Sequence, residues 1–70
     1  MKLIGKVIDY NGYDGYIITE DGNKFILSSK DIMGNQILKN DDLVIFNPEK
    51  YKEHNVARFI AKYNEENQSK

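Results

Sequence analysis

Apolar and polar positions alternate along short segments of this chain, and Gly, Asn and Asp residues separate the segments. Five segments have the β-branched and aromatic content of strands: residues 3–10, 16–20, 24–28, 43–46 and 55–63. Asp21-Gly22, between the second and third segments, predicts a type I′ hairpin turn. The pattern therefore predicts an all-β chain of antiparallel strands joined by short turns.

The connection after the third segment has a different pattern. Ser28, followed three positions later by Asp31, predicts one short helical turn that ends at Gly34. Asn47-Pro48 predicts the end of the fourth strand, and the polar residues 49–54 predict a loop. Residues 64–70 have no apolar side chain, so we expect one domain over residues 1–63 and a disordered polar tail over 64–70.

Five short strands with one helical turn between the third and fourth match the layout of a small Greek-key barrel. The expected fold is a five-stranded antiparallel β-barrel of the OB type. An SH3-like barrel also has five short strands, and periodicity by itself leaves the topology open.

Composition narrows the classes of function. The chain has 70 residues, no cysteine and one histidine, so it offers neither a disulfide framework nor a transition-metal site. No nucleophile and base pair or phosphate-cradling loop is recognisable, which predicts a binding module without a cofactor rather than an enzyme. The chain has no apolar run that could cross a bilayer and no signal peptide, so we expect a cytoplasmic protein, monomeric and not bound to membranes.

The order of several short motifs resembles the bacterial cold-shock domain over nearly the whole chain. They are Gly5-Lys6-Val7, Tyr10-Asn11, Gly15-Tyr16-Ile17, Glu20-Asp21-Gly22, Phe25-Ile26, Asp31-Ile32, Leu38, Val44-x-Phe46 and Asn55-Val56. The resemblance implies the cold-shock variant of the OB barrel, whose members bind single-stranded RNA or DNA. They stack bases on aromatic side chains of the second and third strands, while cations nearby meet the phosphates.

The resemblance implies a binding site of aromatic and basic side chains. Its predicted members are Lys6, Tyr10, Tyr13, Tyr16, Lys24, Phe25 and Arg58. Each has a simpler interpretation as well: aromatics suit strands, Tyr13 can pack over the open end of the barrel, exposed lysines keep strand edges soluble, and Arg58 can pair with a carboxylate.

Departures from the cold-shock pattern suggest an alternative. Asp9 occupies the position of a stacking tryptophan, Leu27 and Ser28 replace two further contact residues, and the formal net charge is −1. With Asp14, these substitutions make the expected face less basic and more apolar. The alternative prediction is a degenerate OB domain that binds a protein partner on the same face, with Leu27 added.

Overall fold

Five strands close into a β-barrel in the computed structural model, which describes residues 1–64. The strands are β1 (Leu3–Ile8), β2 (Asp14–Thr19), β3 (Lys24–Ser28), β4 (Leu43–Tyr51) and β5 (His54–Lys62). They are hydrogen-bonded in the order β1-β2-β3-β5-β4, and β4 pairs again with β1. One turn of 3₁₀ helix, Ser29–Asp31, lies between β3 and β4, although the Ser28 side chain makes no capping hydrogen bond. Five strands with one helical turn between the third and fourth are therefore confirmed, but the turn ends at Asp31 rather than at Gly34, and β1 ends at Ile8 rather than at residue 10.

The prediction of a purely antiparallel barrel is wrong, because β3 and β5 run parallel. Ile26 lies opposite Val56 in this pair, and a second parallel bridge joins Ile32 to Ile60. A closed ring with an odd number of strands cannot alternate direction at every step, so at least one neighbouring pair must be parallel. Here that pair closes the barrel between β3 and the β4–β5 hairpin.

The core fills the interior of the barrel with side chains from all five strands and from Leu38. Its largest completely buried members are Phe46, Ile17, Leu27, Ile60, Val7 and Val44. Within residues 1–64 no polar or charged residue is buried. Because burying a polar group without a partner costs stability, this small apolar core carries no such penalty.

The β2–β3 turn differs from the predicted type I′ turn. The Gly22 N–H donates to the Thr19 carbonyl oxygen at 2.9 Å, and Gly22 has φ 91° whereas Asp21 has no positive φ. A type I′ turn needs positive φ at both central residues, so this loop is instead a type I turn followed by a left-handed glycine. The loop spans three residues rather than two, and this difference of one residue sets the register of β2 and β3.

The β4–β5 hairpin is longer than predicted. Pro48 does not end β4. β4 pairs with β1 only as far as Phe46, so on that edge of the strand no hydrogen bond requires the backbone N–H that proline lacks. The predicted loop over residues 49–54 is wrong as well. Only Lys52 and Glu53 connect the strands, with φ 48° and 72°, the positive values that a type I′ turn requires.

A β-bulge bends this hairpin. Phe59 and Ile60 of β5 together lie opposite Phe46 of β4, and Phe59 takes φ 51°. Bulges increase local twist and bend the strand that carries them. The bend lets β4 pair with β5 on one side and with β1 on the other.

Two further findings concern the limits of the described chain. Residues 65–70, which make up nearly all of the predicted tail, lie outside the described residues. Over residues 1–64 no helix has the length and apolarity needed to cross a bilayer.

Candidate nucleic-acid interface

The outward-facing side chains of β1, β2 and β3 form one continuous surface, called here the outer face. Cross-strand pairing aligns Ile8 with Tyr16 and Tyr16 with Ile26, so the three side chains form a row across the strands. Tyr16 is 39% exposed and Ile26 is 36% exposed, while Ile8 is half-buried. This apolar row presents one aromatic ring to solvent between two isoleucines.

A second row lies next to it and carries positive charge. Ile18 pairs with Lys6 on one side and with Lys24 on the other, and both lysines are exposed. The Lys24 ammonium lies 4.7 Å from the centroid of the Tyr16 ring, within the range of a cation–π interaction. Lys24 therefore lies over the exposed aromatic ring, and Lys6 lies in the same row.

The opposite side of Tyr16 is acidic. Asp9, Asp14, Tyr16 and Ile26 line a shallow hollow together with Asn11 and Gly15. Neither carboxylate forms a salt bridge or accepts a hydrogen bond from any of the described residues 1–64. Along β2 the outward positions run Asp14, Tyr16, Ile18, so the acidic hollow and the lysine row flank the tyrosine on opposite sides.

At the acidic hollow the backbone of β2 lies very close to the backbone of residues 9 and 10. A Cβ atom added to Gly15 would lie 2.7 Å from the Tyr10 Cα and 3.0 Å from the Asp9 carbonyl oxygen. Only glycine lets β2 pass this close to the chain that leaves β1. Asp9 itself has φ 53°, a left-handed conformation in which Asp and Asn are enriched.

The loop between β1 and β2 carries two of the predicted aromatics. The Asn11 side-chain oxygen accepts hydrogen bonds from the backbone N–H groups of Tyr13 and Asp14, at 2.8 and 2.9 Å. Tyr13 is 74% exposed at the tip of this loop. Tyr10 packs against the core instead, and its hydroxyl donates to the Gly12 carbonyl oxygen at 3.1 Å. Half-buried Tyr10 lines a separate hollow with Ile32 and Leu38 rather than the outer face.

The prediction of a surface-exposed Phe25 is wrong. Phe25 is only 7% exposed, and its ring centroid lies 5.0 Å from that of Phe46 inside the barrel. Residues that lie directly opposite each other in a sheet share a face, and Phe25 lies opposite the buried Ile17. A two-residue turn would have shifted this register by one position and turned Phe25 to the side of Tyr16.

Leu27 follows the same alternation. It points inward with Phe25 and is completely buried, so it adds nothing to a surface for a protein partner. The outward residue between them is Ile26, which the prediction of site residues missed, as it missed Ile8 and Ile18. Alternation along β2 puts Ile18 on the face of Tyr16, and the registers of the β1–β2 and β2–β3 pairs put Ile8 and Ile26 opposite Tyr16.

Arg58 is engaged in a salt-bridge cluster away from the lysine row. Its guanidinium donates to Asp31 and to Glu49, each at 3.2 Å. The hydrogen bonds to Asp31 and then to Glu49 raise the pKa of Arg58 above its ordinary value. Arg58, which was predicted to contact a phosphate, is thus paired with two carboxylates, as its simpler interpretation expects.

The outer face can therefore stack one planar group on Tyr16, attract an anion at the lysine row and accept hydrogen bonds in the acidic hollow. No protein-family model and no curated protein matches this chain. What the face can bind accordingly follows from its own geometry.

Proposed function

We propose that this protein is a cold-shock-like OB barrel that binds single-stranded RNA or DNA on its outer face. The observation that carries the proposal is the exposed Tyr16 ring with Lys24 4.7 Å away and Lys6 in the same row as Lys24. The OB assignment is supported by the strand order β1-β2-β3-β5-β4 and by the helical turn between β3 and β4. A helical turn at this place favours the OB barrel over the SH3-like alternative.

The physical basis is stacking assisted by charge. Every base has a π-face, and stacking on an aromatic side chain contributes about 1–3 kcal/mol per base. Ile8 and Ile26 flank the ring and offer apolar contacts to the edges of a stacked base. A base that stacks on the ring takes the place of the Lys24 ammonium, and Lys24 and Lys6, in the same row, then meet the adjoining phosphates.

The number of cations sets the expected salt dependence. For single strands the logarithm of the binding constant falls by about 0.7 per neutralised phosphate for each tenfold rise in salt. Two lysine contacts therefore give a slope of about −1.4. This shallow dependence distinguishes the proposed site from a strongly basic domain that binds through many phosphates.

The test is a titration with seven-nucleotide single strands of RNA and DNA, followed by amide chemical shifts at low and moderate salt. Tyr16→Leu should reduce affinity about tenfold, since it removes the π-face, whereas Tyr16→Phe should retain binding. Tyr51→Leu is the matched control, because Tyr51 is 56% exposed at the far end of β4, outside the outer face. Lys24→Gln should reduce the salt slope by about 0.7.

Equal binding by parent and Tyr16→Leu would refute the stacking proposal. So would chemical-shift changes that cluster around Tyr51 or Phe59 and leave the outer face unchanged.

A protein partner is the second candidate for the same face. Ile8, Ile18 and Ile26 are partly exposed beside Tyr16, and apolar and aromatic side chains of this kind form the centre of protein interfaces. An apolar contact would change little with salt, in contrast to phosphate recognition. No chemical-shift change with any oligonucleotide at low salt would favour this candidate.

A further inference from the structure

The outer face carries negative charge on one side of Tyr16 and positive charge on the other. Outward positions along a strand are about 7 Å apart, so the backbone positions of Asp14 and of Ile18, the centre of the lysine row, lie about that far from Tyr16 on opposite sides. A nucleotide stacked on the ring would place its phosphate toward the lysines, because the carboxylates on the other side repel it. The edge of its base would then point into the acidic hollow.

We propose that the hollow lined by Asp9, Asp14, Tyr16 and Ile26 selects guanine over uracil and thymine. This inference rests on the proposed function and adds the base preference of the same site. It follows from the chemistry of carboxylates, which in their ionised form only accept hydrogen bonds. Both carboxylates have unused acceptor capacity with respect to residues 1–64.

Guanine has the edge that best matches a carboxylate. Its ring N1–H and its exocyclic amino group donate in parallel, which allows two hydrogen bonds to the two oxygens of one carboxylate. Adenine and cytosine each offer an amino group next to a ring acceptor. Uracil and thymine offer a single N–H between two carbonyl oxygens, and these oxygens are repelled by a carboxylate. The expected order of preference is guanine, then adenine and cytosine, then uracil and thymine.

The conformation of Asp9 shows which substitution separates charge from backbone geometry. At φ 53° asparagine is accommodated as well as aspartate, so Asp9→Asn keeps the loop conformation while it removes the charge. Asp14 lies at the start of β2, and Asp14→Asn is likewise nearly isosteric. An amide that replaces either carboxylate keeps one acceptor but loses the second and the charge.

The experiment compares three DNA heptamers at low salt: all thymine, thymine with a central guanine, and thymine with a central hypoxanthine, which lacks the exocyclic amino group. The parent protein should bind the guanine strand about fivefold more tightly than the all-thymine strand, with hypoxanthine between them. In Asp9→Asn/Asp14→Asn the all-thymine strand should bind more tightly, because repulsion is removed. The guanine-to-thymine ratio should at the same time fall toward one.

Glu20→Gln is the matched control for charge. Glu20 is exposed just after β2, on the far side of the lysine row, and its neutralisation raises the net charge by one as each Asp→Asn substitution does. It should increase the affinity for all strands equally and leave the guanine-to-thymine ratio unchanged.

The outcomes separate this inference from the proposed function. Binding that depends on Tyr16 but shows equal affinity for guanine and thymine would overturn the guanine preference alone. A preference that survives in Asp9→Asn/Asp14→Asn would also overturn it, because the carboxylates would not be its source. Failure of every strand to bind would overturn both proposals.

Discussion

Replacing Phe25 tests the division between core and outer face most directly. Phe25 is only 7% exposed and its ring packs against that of Phe46, and Phe→Ala substitutions at such sites cost about 3–5 kcal/mol. A domain of this size rarely has more than about 3–5 kcal/mol of total stability. Phe25→Ala is therefore expected to be largely unfolded at 25 °C.

A smaller change allows the cost to be measured. Phe25→Leu keeps most of the apolar volume and should cost about 1–1.5 kcal/mol. With a urea dependence of about 1 kcal/mol per molar for a small domain, its unfolding midpoint should fall by about 1–1.5 M. Urea unfolding followed by far-ultraviolet circular dichroism measures this shift. Tyr16→Val is the matched control, since it alters an exposed aromatic on β2 and should stay within about 0.5 kcal/mol of the parent.

Unfolding midpoints and oligonucleotide affinities, measured on the same Phe25 variants, together test whether Phe25 belongs to the core. Phe25→Leu should bind oligonucleotides like the parent under conditions in which both are folded. If Phe25→Ala unfolds at the same urea concentration as the parent yet loses oligonucleotide binding, the assignment of Phe25 to the core is refuted.

Three further predictions concern turns and close contacts. Gly15→Ala should destabilise the domain by about 1–3 kcal/mol, measured by urea unfolding, because its methyl group would collide with the Tyr10 backbone; an unchanged midpoint would contradict this packing. The Thr19 hydroxyl, which donates to the Asp21 carboxylate, lowers the pKa of Asp21, so Thr19→Val should raise it toward the ordinary value of about 3.9 in a carboxyl-carbon NMR titration. The lowered pKa of Asp21 stabilises the folded state above about pH 4, and this stabilisation is lost as the pH falls through the folded-state pKa. The acid-induced loss of stability should therefore be smaller in Thr19→Val, and a larger loss would contradict the linkage. Glu53→Gly should stabilise the domain by about 0.5–1 kcal/mol, since relief of the left-handed conformation outweighs the added freedom of the unfolded chain; a lower thermal midpoint would contradict this balance.

The positions of the strands and of the helical turn could be predicted from the sequence because they depend on local properties. β-Branched and aromatic runs favour extended backbone, and Gly, Asn and Asp accept the conformations of turns. The alternation of Phe25, Ile26 and Leu27 between two faces is a local property as well. The cold-shock resemblance assigned Tyr16 and Lys24 to the candidate site, and these two side chains do lie together, whereas Phe25, assigned on the same basis, is buried.

Local pattern did not determine which of two alternating faces points inward. That choice depends on the register between β2 and β3, and one extra residue in the turn places Phe25 opposite Ile17 and turns its ring into the core. The continuation of β4 through Pro48 depends on where pairing with β1 stops, and the parallel β3–β5 pair depends on closure of a ring with five members. Arg58 became engaged with Asp31 and Glu49 through contacts between residues distant in the sequence. Sequence by itself determined where the five strands lie and which neighbouring residues share a face. Only the tertiary structure decided the type of the β2–β3 turn, the length of the β4–β5 hairpin and which face is buried, because register and closure are properties of paired strands.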